Sequence, residues 1–264
     1  MQVLRTPGRG YCRVRAASPP LALLWLFAFG VVCGWAQPQV ITVTNTADYT
    51  MALSPGSIAS IFGSGLAPSA ASGSGIPLPT LLNTVSVTVN GTPAPLFYVG
   101  PLQINFQVPF EIPAGLATLS VTSQNQQSNS VQIVVAAFSL GIFGDGSGHG
   151  VVQNQDQSPN SSTHLAASGS SIVVYVTGIG VTDTHVADGA AAPASPPAKF
   201  AGAATATIGD VDAPVQFAGL TPGSVGLAQV NLQVPALSSG AYPLQISLTG
   251  LSKRIGAGFG GRQR

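Results

Sequence analysis

The sequence predicts an all-β protein made of two tandem immunoglobulin-like β-sandwiches. The segment Gln-Ile-Asn-Phe-Gln-Val-Pro, which begins at Gln103, returns 126 residues later from Gln229 as Gln-Val-Asn-Leu-Gln-Val-Pro. Such a repeat indicates that one structural unit occurs twice. The chain has 32 glycines and 21 prolines among 264 residues, and the stretches between them alternate between apolar and polar residues. Short alternating strands in units of about 100 residues are typical of immunoglobulin-like sandwiches.

Six strands are predicted in the first copy from this alternation. Asn90-Gly91 joins the second strand to the third in a tight hairpin, because both central residues of a type I′ turn need positive φ angles. The predicted strands are Ser57–Phe62, Val85–Val89, Ala94–Val99, Leu102–Val108, Leu116–Thr122 and Val131–Val135.

Five strands are predicted in the second copy, in the same order. No closing strand is predicted, because the corresponding residues 254–260 alternate with glycine, which weakens strands. If the closing strand is absent, the second sandwich has an uncovered sheet edge, which either pairs with another strand or favours aggregation. The predicted strands are Ser171–Thr177, Ala204–Ile208, Ala213–Phe217, Ala228–Val234 and Ala241–Leu248.

The first 36 residues predict a secretory signal peptide, and so a secreted or cell-surface protein. Four arginines precede the apolar run 21–32, and small residues at Gly34 and Ala36 favour cleavage after Ala36. The run is short for a bilayer span, so membrane contact is expected only where this segment stays uncleaved. Cys12 and Cys33 would leave with it, and the mature chain would then form no disulfide.

The chain is divided as follows: 1–36 signal peptide, 37–140 first sandwich, 141–169 linker or interdomain seam, 170–252 second sandwich, 253–264 basic glycine-rich tail. The seam is rich in Gly, Asn, Gln and Ser, although residues 151–156 are able to add a short strand. From Gln37 to Ser252 the chain keeps one basic residue, Lys199, and all eight acidic residues, a formal charge of −7. This balance disfavours nucleic acid or anionic lipid as a partner.

Specific segments of both copies carry a resemblance to a known family. They are Ser54–Ile58, Phe62–Leu66, Val87–Gly91, Gln103–Pro109, Asn154–Asp156, Thr177–Gly180 and Phe217–Gly223. With these segments the chain resembles the Solibacter-type secreted C-terminal domain of unknown function, which is common in acidobacterial exported proteins. Each half is also similar to an IPT/TIG module, the immunoglobulin-like domain of some cell-surface receptors, transcription factors and polysaccharide-processing enzymes. The resemblance implies the fold and export, and no activity.

The repeated segment supplies the candidate ligand-binding residues, because alternate residues of a strand share one face. Each amide offers donors and an acceptor, so the row could bind sugar hydroxyls or an incoming strand. It could equally satisfy backbone groups of loops at the edge of the sandwich, and its presence in both copies favours that structural role. The six candidates are Gln103, Asn105, Gln107, Gln229, Asn231 and Gln233.

No catalytic residue, metal or cofactor is predicted. Asp145 and His149 share a glycine-rich loop that lacks the ligand pattern of a calcium site and the lysine of a phosphate loop. The chain has no Gly-x-Ser-x-Gly elbow and no motif that joins two carboxylates. The strand aromatics are assigned to the core, and the lack of tryptophan after Ala36 weakens a carbohydrate-binding interpretation. These aromatics are Phe97, Tyr98, Tyr175 and Phe217.

The sequence thus indicates a secreted, non-catalytic tandem module for protein interaction outside the cell or at its surface. Two alternatives stay open. One is a carbohydrate-binding accessory module of polysaccharide metabolism, and the other is a structural spacer left by a truncated gene. The expected partner is another extracellular protein or a glycan, and no nucleic acid.

Overall fold

The computed structural model describes residues 37–146 and 148–255. These residues form twenty strands and no helix, so this part of the chain contains no helical segment able to cross a membrane. The predicted signal peptide, residues 1–36, lies outside the described residues, as do Ser147 and residues 256–264 of the predicted tail.

The first copy folds into two sheets that enclose one apolar core. One sheet has the order β1-β3-β8-β7-β4, and the other has the order β2-β11-β9-β5-β6 with β10 paired to β9. The strands are β1 (Gln39–Asn45), β2 (Ala52–Leu53), β3 (Ile58–Ser64), β4 (Ala71–Ser72), β5 (Val85–Val89), β6 (Thr92–Pro93), β7 (Leu96–Val99), β8 (Gln103–Gln107), β9 (Gly115–Ser123), β10 (Gln126–Gln127) and β11 (Val131–Val135).

The second copy repeats this arrangement with nine strands. One sheet has the order β12-β14-β18-β17 with β13 paired to β14, and the other has the order β16-β15-β19-β20. The strands are β12 (Gly141–Ile142), β13 (Val152–Asn154), β14 (Ser171–Thr177), β15 (Ala204–Ile208), β16 (Val211–Asp212), β17 (Val215–Leu220), β18 (Ala228–Gln233), β19 (Leu244–Leu248) and β20 (Leu251–Ile255).

Period-two alternation explains how each sheet builds its core. In β5, Val85, Val87 and Val89 are fully buried, while the intervening Ser86 and Thr88 lie on the outer side. In β8, Ile104 and Phe106 are fully buried against the opposite sheet in the same way. Fully burying side chains of this size stabilises the fold by about 1.5–3 kcal/mol each. Each of the eleven predicted strands overlaps a strand of the structure, which confirms the predicted fold class.

The second sandwich has a closing strand, although the glycine-rich sequence of its tail disfavours one. The closing strand β20 pairs with β19 through a two-residue turn at Thr249 and Gly250, with φ angles of 42° and 89°. The repeat offset of 126 residues places the closing strand at residues 254–260, because the connection between β9 and β11 is longer than that between β19 and β20. A tight hairpin brings the strand forward, so residues 253–255 of the predicted tail belong to the sheet.

Residues 141–169, expected as a linker or interdomain seam with a short strand possible at 151–156, contribute two strands to the second sandwich. β12 and β13 both pair with β14, so this segment completes a sheet of the second sandwich. Asn154 anchors the loop that follows: its side-chain amide donates to the carbonyl of His164 at 2.9 Å, and its Oδ1 accepts from Asn160 at 2.8 Å. Asparagine and glutamine, read in the sequence as signs of a linker, here satisfy backbone groups of a folded loop.

Buried hydrogen bonds join the two sandwiches. Thr177 Oγ1, at the end of β14, accepts from the backbone N–H of Ile58 at 2.9 Å and donates to the carbonyl of Gly226 at 3.0 Å. The amide of Asn45 donates to the carbonyl of Ser139 at 3.0 Å. The side chains of Thr177 and Asn45 are fully buried. The described residues 37–146 and 148–255 accordingly belong to one compact unit.

An ion pair adds a contact near the surface. Lys253 Nζ of β20 lies 2.5 Å from Asp48 Oδ2, in the loop that follows β1. Both side chains are partly exposed, so this pair contributes little compared with the buried hydrogen bonds, about 0–1 kcal/mol.

Replacing Gly178 with alanine tests the close packing beside Thr177. Gly178 has a φ of +81°, and a Cβ there would overlap the carbonyl oxygen of Ser139. We expect Gly178→Ala to lower the free energy of unfolding by about 3 kcal/mol. Gly223→Ala is the matched control, with a φ of +77° and nothing within 4 Å of its Cβ. It should cost about 1 kcal/mol of backbone strain. Equal losses in urea denaturation would contradict the close approach.

Candidate functional site

The first two predicted amides of each copy form a hydrogen-bonded pair on the outer face of the sheet. Gln103 Nε2 donates to Asn105 Oδ1 at 2.8 Å, and Gln229 Nε2 donates to Asn231 Oδ1 at 2.9 Å. All four side chains are half-buried. The repeat therefore conserves a side-chain contact as well as a strand pattern between the two copies.

The third predicted amide differs between the copies. Gln107 is fully buried, and its Oε1 accepts from the backbone N–H of Gly189 in the second sandwich at 2.7 Å. Gln233 is exposed and donates to the carbonyl of Gly169 at 3.3 Å within its own sandwich. The structure thus does not form the predicted row of three equivalent amides. Gln107 supports the contact between the sandwiches, and Gln233 lies at the surface.

Two aromatic side chains flank each amide pair, one on either neighbouring strand. In the first sandwich Phe62 of β3 lies opposite Gln103, and Tyr98 of β7 lies opposite Asn105. In the second, Tyr175 of β14 lies opposite Gln229, and Phe217 of β17 lies opposite Asn231. We term these groups the first quartet (Phe62, Tyr98, Gln103, Asn105) and the second quartet (Tyr175, Phe217, Gln229, Asn231).

The assignment of Tyr98, Tyr175 and Phe217 to the core is wrong. A β-bulge in β7 between Leu96 and Tyr98, and another in β17 between Val215 and Phe217, shift the register by one residue. A bulge re-aims the side chains that follow it. As a result Tyr98 and Phe217 are half-buried on the outer face, where their rings lie against Gly100 and Gly219. Tyr175 shares that outer face because it lies opposite Gln229.

An acidic pair lies at the contact between the sandwiches. Asp188 Oδ1 accepts from the backbone N–H of Phe110 at 2.9 Å, next to the bond between Gln107 and Gly189. Burial raises the pKa of Asp188 to about 6, against the hydrogen bond from Phe110, and the nearby Glu111 carboxyl raises this pKa further. The charge of His185 acts in the opposite direction on the same pKa. Sequence reasoning missed this pair because its members are 77 positions apart.

The histidine loops provide structural contacts. His149 Nδ1 lies 3.4 Å from Asp145 Oδ2, and both side chains are about half exposed. The backbone N–H groups of Asp145 and His149 also take part in hydrogen bonds that close this loop. In residues 37–146 and 148–255, no group of three or more His, Cys, Asp or Glu side chains is placed to hold a metal ion. A cavity of about 400 Å³ beside His149 is lined mainly by apolar side chains, including Val151, Val152 and Leu165.

Truncating the third amide in each copy separates its two roles. We expect Gln107→Ala to lower the free energy of unfolding by about 2 kcal/mol, because the buried N–H of Gly189 loses its acceptor. Gln233→Ala, at the same position of the repeat, should change stability by less than about 0.5 kcal/mol. Urea denaturation of both variants provides the comparison. A loss that is the same for both would contradict the structural role of Gln107.

The acidic pair predicts how stability depends on pH. Because the folded state raises the pKa of Asp188 from 3.8 to about 6, it binds a proton more tightly than the unfolded state does. This contribution to stability is present below about pH 4 and is lost as the pH rises to about 6. Asp188→Asn retains an oxygen acceptor for Phe110 without the charge. We expect its urea midpoint to fall less than that of the wild type between pH 4 and pH 6.5. Asp183→Asn, at an exposed aspartate of the same segment, is the control.

Comparisons with known proteins show distant similarity only. No protein-family model matches the chain, and no curated protein matches it. A surface glycan-binding protein from Prevotella bryantii is 13% identical with a TM-score of 0.26, and the match covers 83% of this chain and 41% of that one. A Bacteroides ovatus surface glycan-binding protein, in complex with a mixed-linkage heptasaccharide, is 14% identical with a TM-score of 0.35, covering 84% and 44%. Domains 4 and 5 of the S-layer protein SbsC are 13% identical with a TM-score of 0.22, covering 83% and 97%. The chain therefore spans less than half the length of the glycan-binding proteins.

Proposed function

We propose that this protein is an exported, non-catalytic binding module in which two immunoglobulin-like sandwiches act as one rigid unit outside the cell or at its surface. The single observation that carries this proposal is the quartet that both sandwiches repeat on their outer faces. Each quartet combines two aromatic rings with two amides, the side-chain types that supply contact area and directional hydrogen bonds at binding surfaces.

The contact between the sandwiches supports the rigid arrangement. Thr177, Asn45 and Gln107 are fully buried and each bonds to a partner across this contact or on its connecting segment. Such shielded bonds resist exchange with water. Asp188 also has a structural role here, because its carboxylate accepts the N–H of Phe110. Its raised pKa follows from burial at this contact and from the neighbouring Glu111 carboxyl, and needs no catalytic explanation.

Export and a surface role are supported by the signal-like N-terminal segment and by the resemblance to secreted acidobacterial domains. The folded part carries one base and eight acids up to Ser252, so its solubility depends on Ser, Thr, Asn and Gln. A module of this kind contacts its partners through uncharged polar and aromatic side chains. The partner is a macromolecule of the cell envelope or its surroundings, either a protein or a glycan.

Two measurements test this function: whether the protein is exported, and whether it binds bacterial envelopes. We expect full-length protein expressed in a Gram-negative host to leave the cytoplasm as a species beginning at Gln37. The purified species should bind sedimented bacterial envelopes and should show no turnover in esterase, protease and glycosidase screens. Loss of binding after protease treatment of the envelopes indicates a protein partner, and loss after periodate oxidation indicates a glycan. Cytoplasmic retention, catalytic turnover, or failure to bind any envelope would overturn the proposal.

A further inference from the structure

We propose that the two quartets bind neutral glycans, and that the second quartet binds them more tightly than the first. This inference rests on the proposed function, because it names the ligand class for the same faces.

The amide pairs supply adjacent hydrogen-bonding groups for sugar hydroxyls. In the second quartet, Gln229 Nε2 donates to Asn231 Oδ1 at 2.9 Å. Within the described part of the chain, Gln229 Oε1 and Asn231 Nδ2 have no protein partner. One is an acceptor and the other is a donor with two protons. Neighbouring hydroxyls of a pyranose ring both donate and accept, so a pair of hydroxyls matches this pair of atoms.

The aromatic rings supply the apolar part of the site. Tyr175 and Phe217 lie on the two strands that flank β18, displaced by two residues along the strands. Strand spacing and residue rise place their Cβ atoms about 12 Å apart, with the amide pair between them. A pyranose ring has a face of C–H groups that packs against an aromatic ring. Two rings at this separation suit an oligosaccharide better than a single sugar.

The charge of the quartets selects a neutral ligand. Neither quartet contains a carboxylate or a basic side chain. Phe217 and Lys199 both line a shallow groove of about 240 Å³. From Gln37 to Ser252 the chain has one lysine and eight acidic residues, a balance that does not favour an anionic polymer. The absence of charged side chains from the quartets therefore favours an uncharged glycan as the ligand.

Local contacts make the second quartet the better site. In the first quartet, Ser60 Oγ donates to Asn105 Oδ1 at 3.0 Å, so this oxygen already accepts two hydrogen bonds. The ring centroid of Tyr49 also lies 6.4 Å from that of Phe62, so this ring already has an aromatic neighbour within the protein. In the second sandwich the position of Ser60 is taken by Val173, which leaves a lone pair of Asn231 open. The groove beside Phe217 adds room for a ligand.

Affinity electrophoresis of the exported protein tests the inference. The gels contain hydroxyethyl cellulose, soluble starch, galactomannan or polygalacturonate. We expect at least one of the three neutral polymers to retard the protein, and polygalacturonate not to do so. Tyr175→Ala together with Phe217→Ala should weaken the retarding interaction about tenfold or more, because these rings form the centre of the site. Phe62→Ala together with Tyr98→Ala should weaken it less.

Three further variants separate binding from folding. Gln229→Ala together with Asn231→Ala removes hydrogen bonds without touching the rings and should also abolish most retardation. Tyr175→Phe retains the ring but loses the bond from its hydroxyl to Gln153 at 3.0 Å, and should bind nearly as the wild type does. Tyr242→Ala truncates a half-buried tyrosine of the same sandwich outside the quartet and should leave retardation unchanged. Circular dichroism confirms that each variant is folded.

The possible results distinguish this inference from the proposed function. No retardation by any neutral polymer, or retardation that survives loss of both second-quartet rings, would overturn the glycan site. If the glycan site is overturned by either result, but the wild-type protein still binds envelopes and protease treatment of the envelopes abolishes that binding, the proposed function holds with a protein partner. If it binds neither envelopes nor polymers, both proposals fail.

Discussion

The bulges in β7 and β17 determine which side chains reach the outer faces of the two sandwiches. Leu96 and Val99 both enter the first core although three positions separate them, and this is possible only because one extra residue lies between them in the ladder. The same shift in the second sandwich places Phe217 outward and Ala218 inward. Without these two irregularities, Tyr98 and Phe217 would compete for core space and the quartets would not form.

Much of the fold could be predicted from the sequence, because alternation and turn residues report local backbone geometry. Val85, Val87 and Val89 identify their strand without any knowledge of their partners, and Asn90-Gly91 identifies the hairpin. The bulges leave no comparable trace, since Phe97 looks like any strand residue until its partner strand is known. The contact between Asp188 and Phe110 could not be predicted from the sequence either. It depends on how two distant loops meet.

The repeat shows that the same residue type can keep one role in both copies or take a different role in each. Gln103 and Asn105 keep the geometry of Gln229 and Asn231, because these residues depend only on neighbouring strands of their own sheet. Gln107 and Gln233 lie at the end of the repeated strand, where the surroundings differ. One faces the other sandwich and the other faces solvent. A residue type shared by both copies is therefore evidence of common backbone structure, and its role must be established separately in each.

The buried contact through Thr177 also bears on how the module would engage a polymer. A flexible tether lets two sites adjust to many spacings, and the gain from binding twice then falls as the tether lengthens. Here the backbone N–H of Ile58 in the first sandwich donates to the fully buried Thr177 of the second, which limits how far the spacing between the two outer faces can change. Avidity would consequently depend on whether a repeating ligand presents its units at that one spacing. If both quartets bind one polymer, the contact between the sandwiches would set the length of ligand that both faces can hold together.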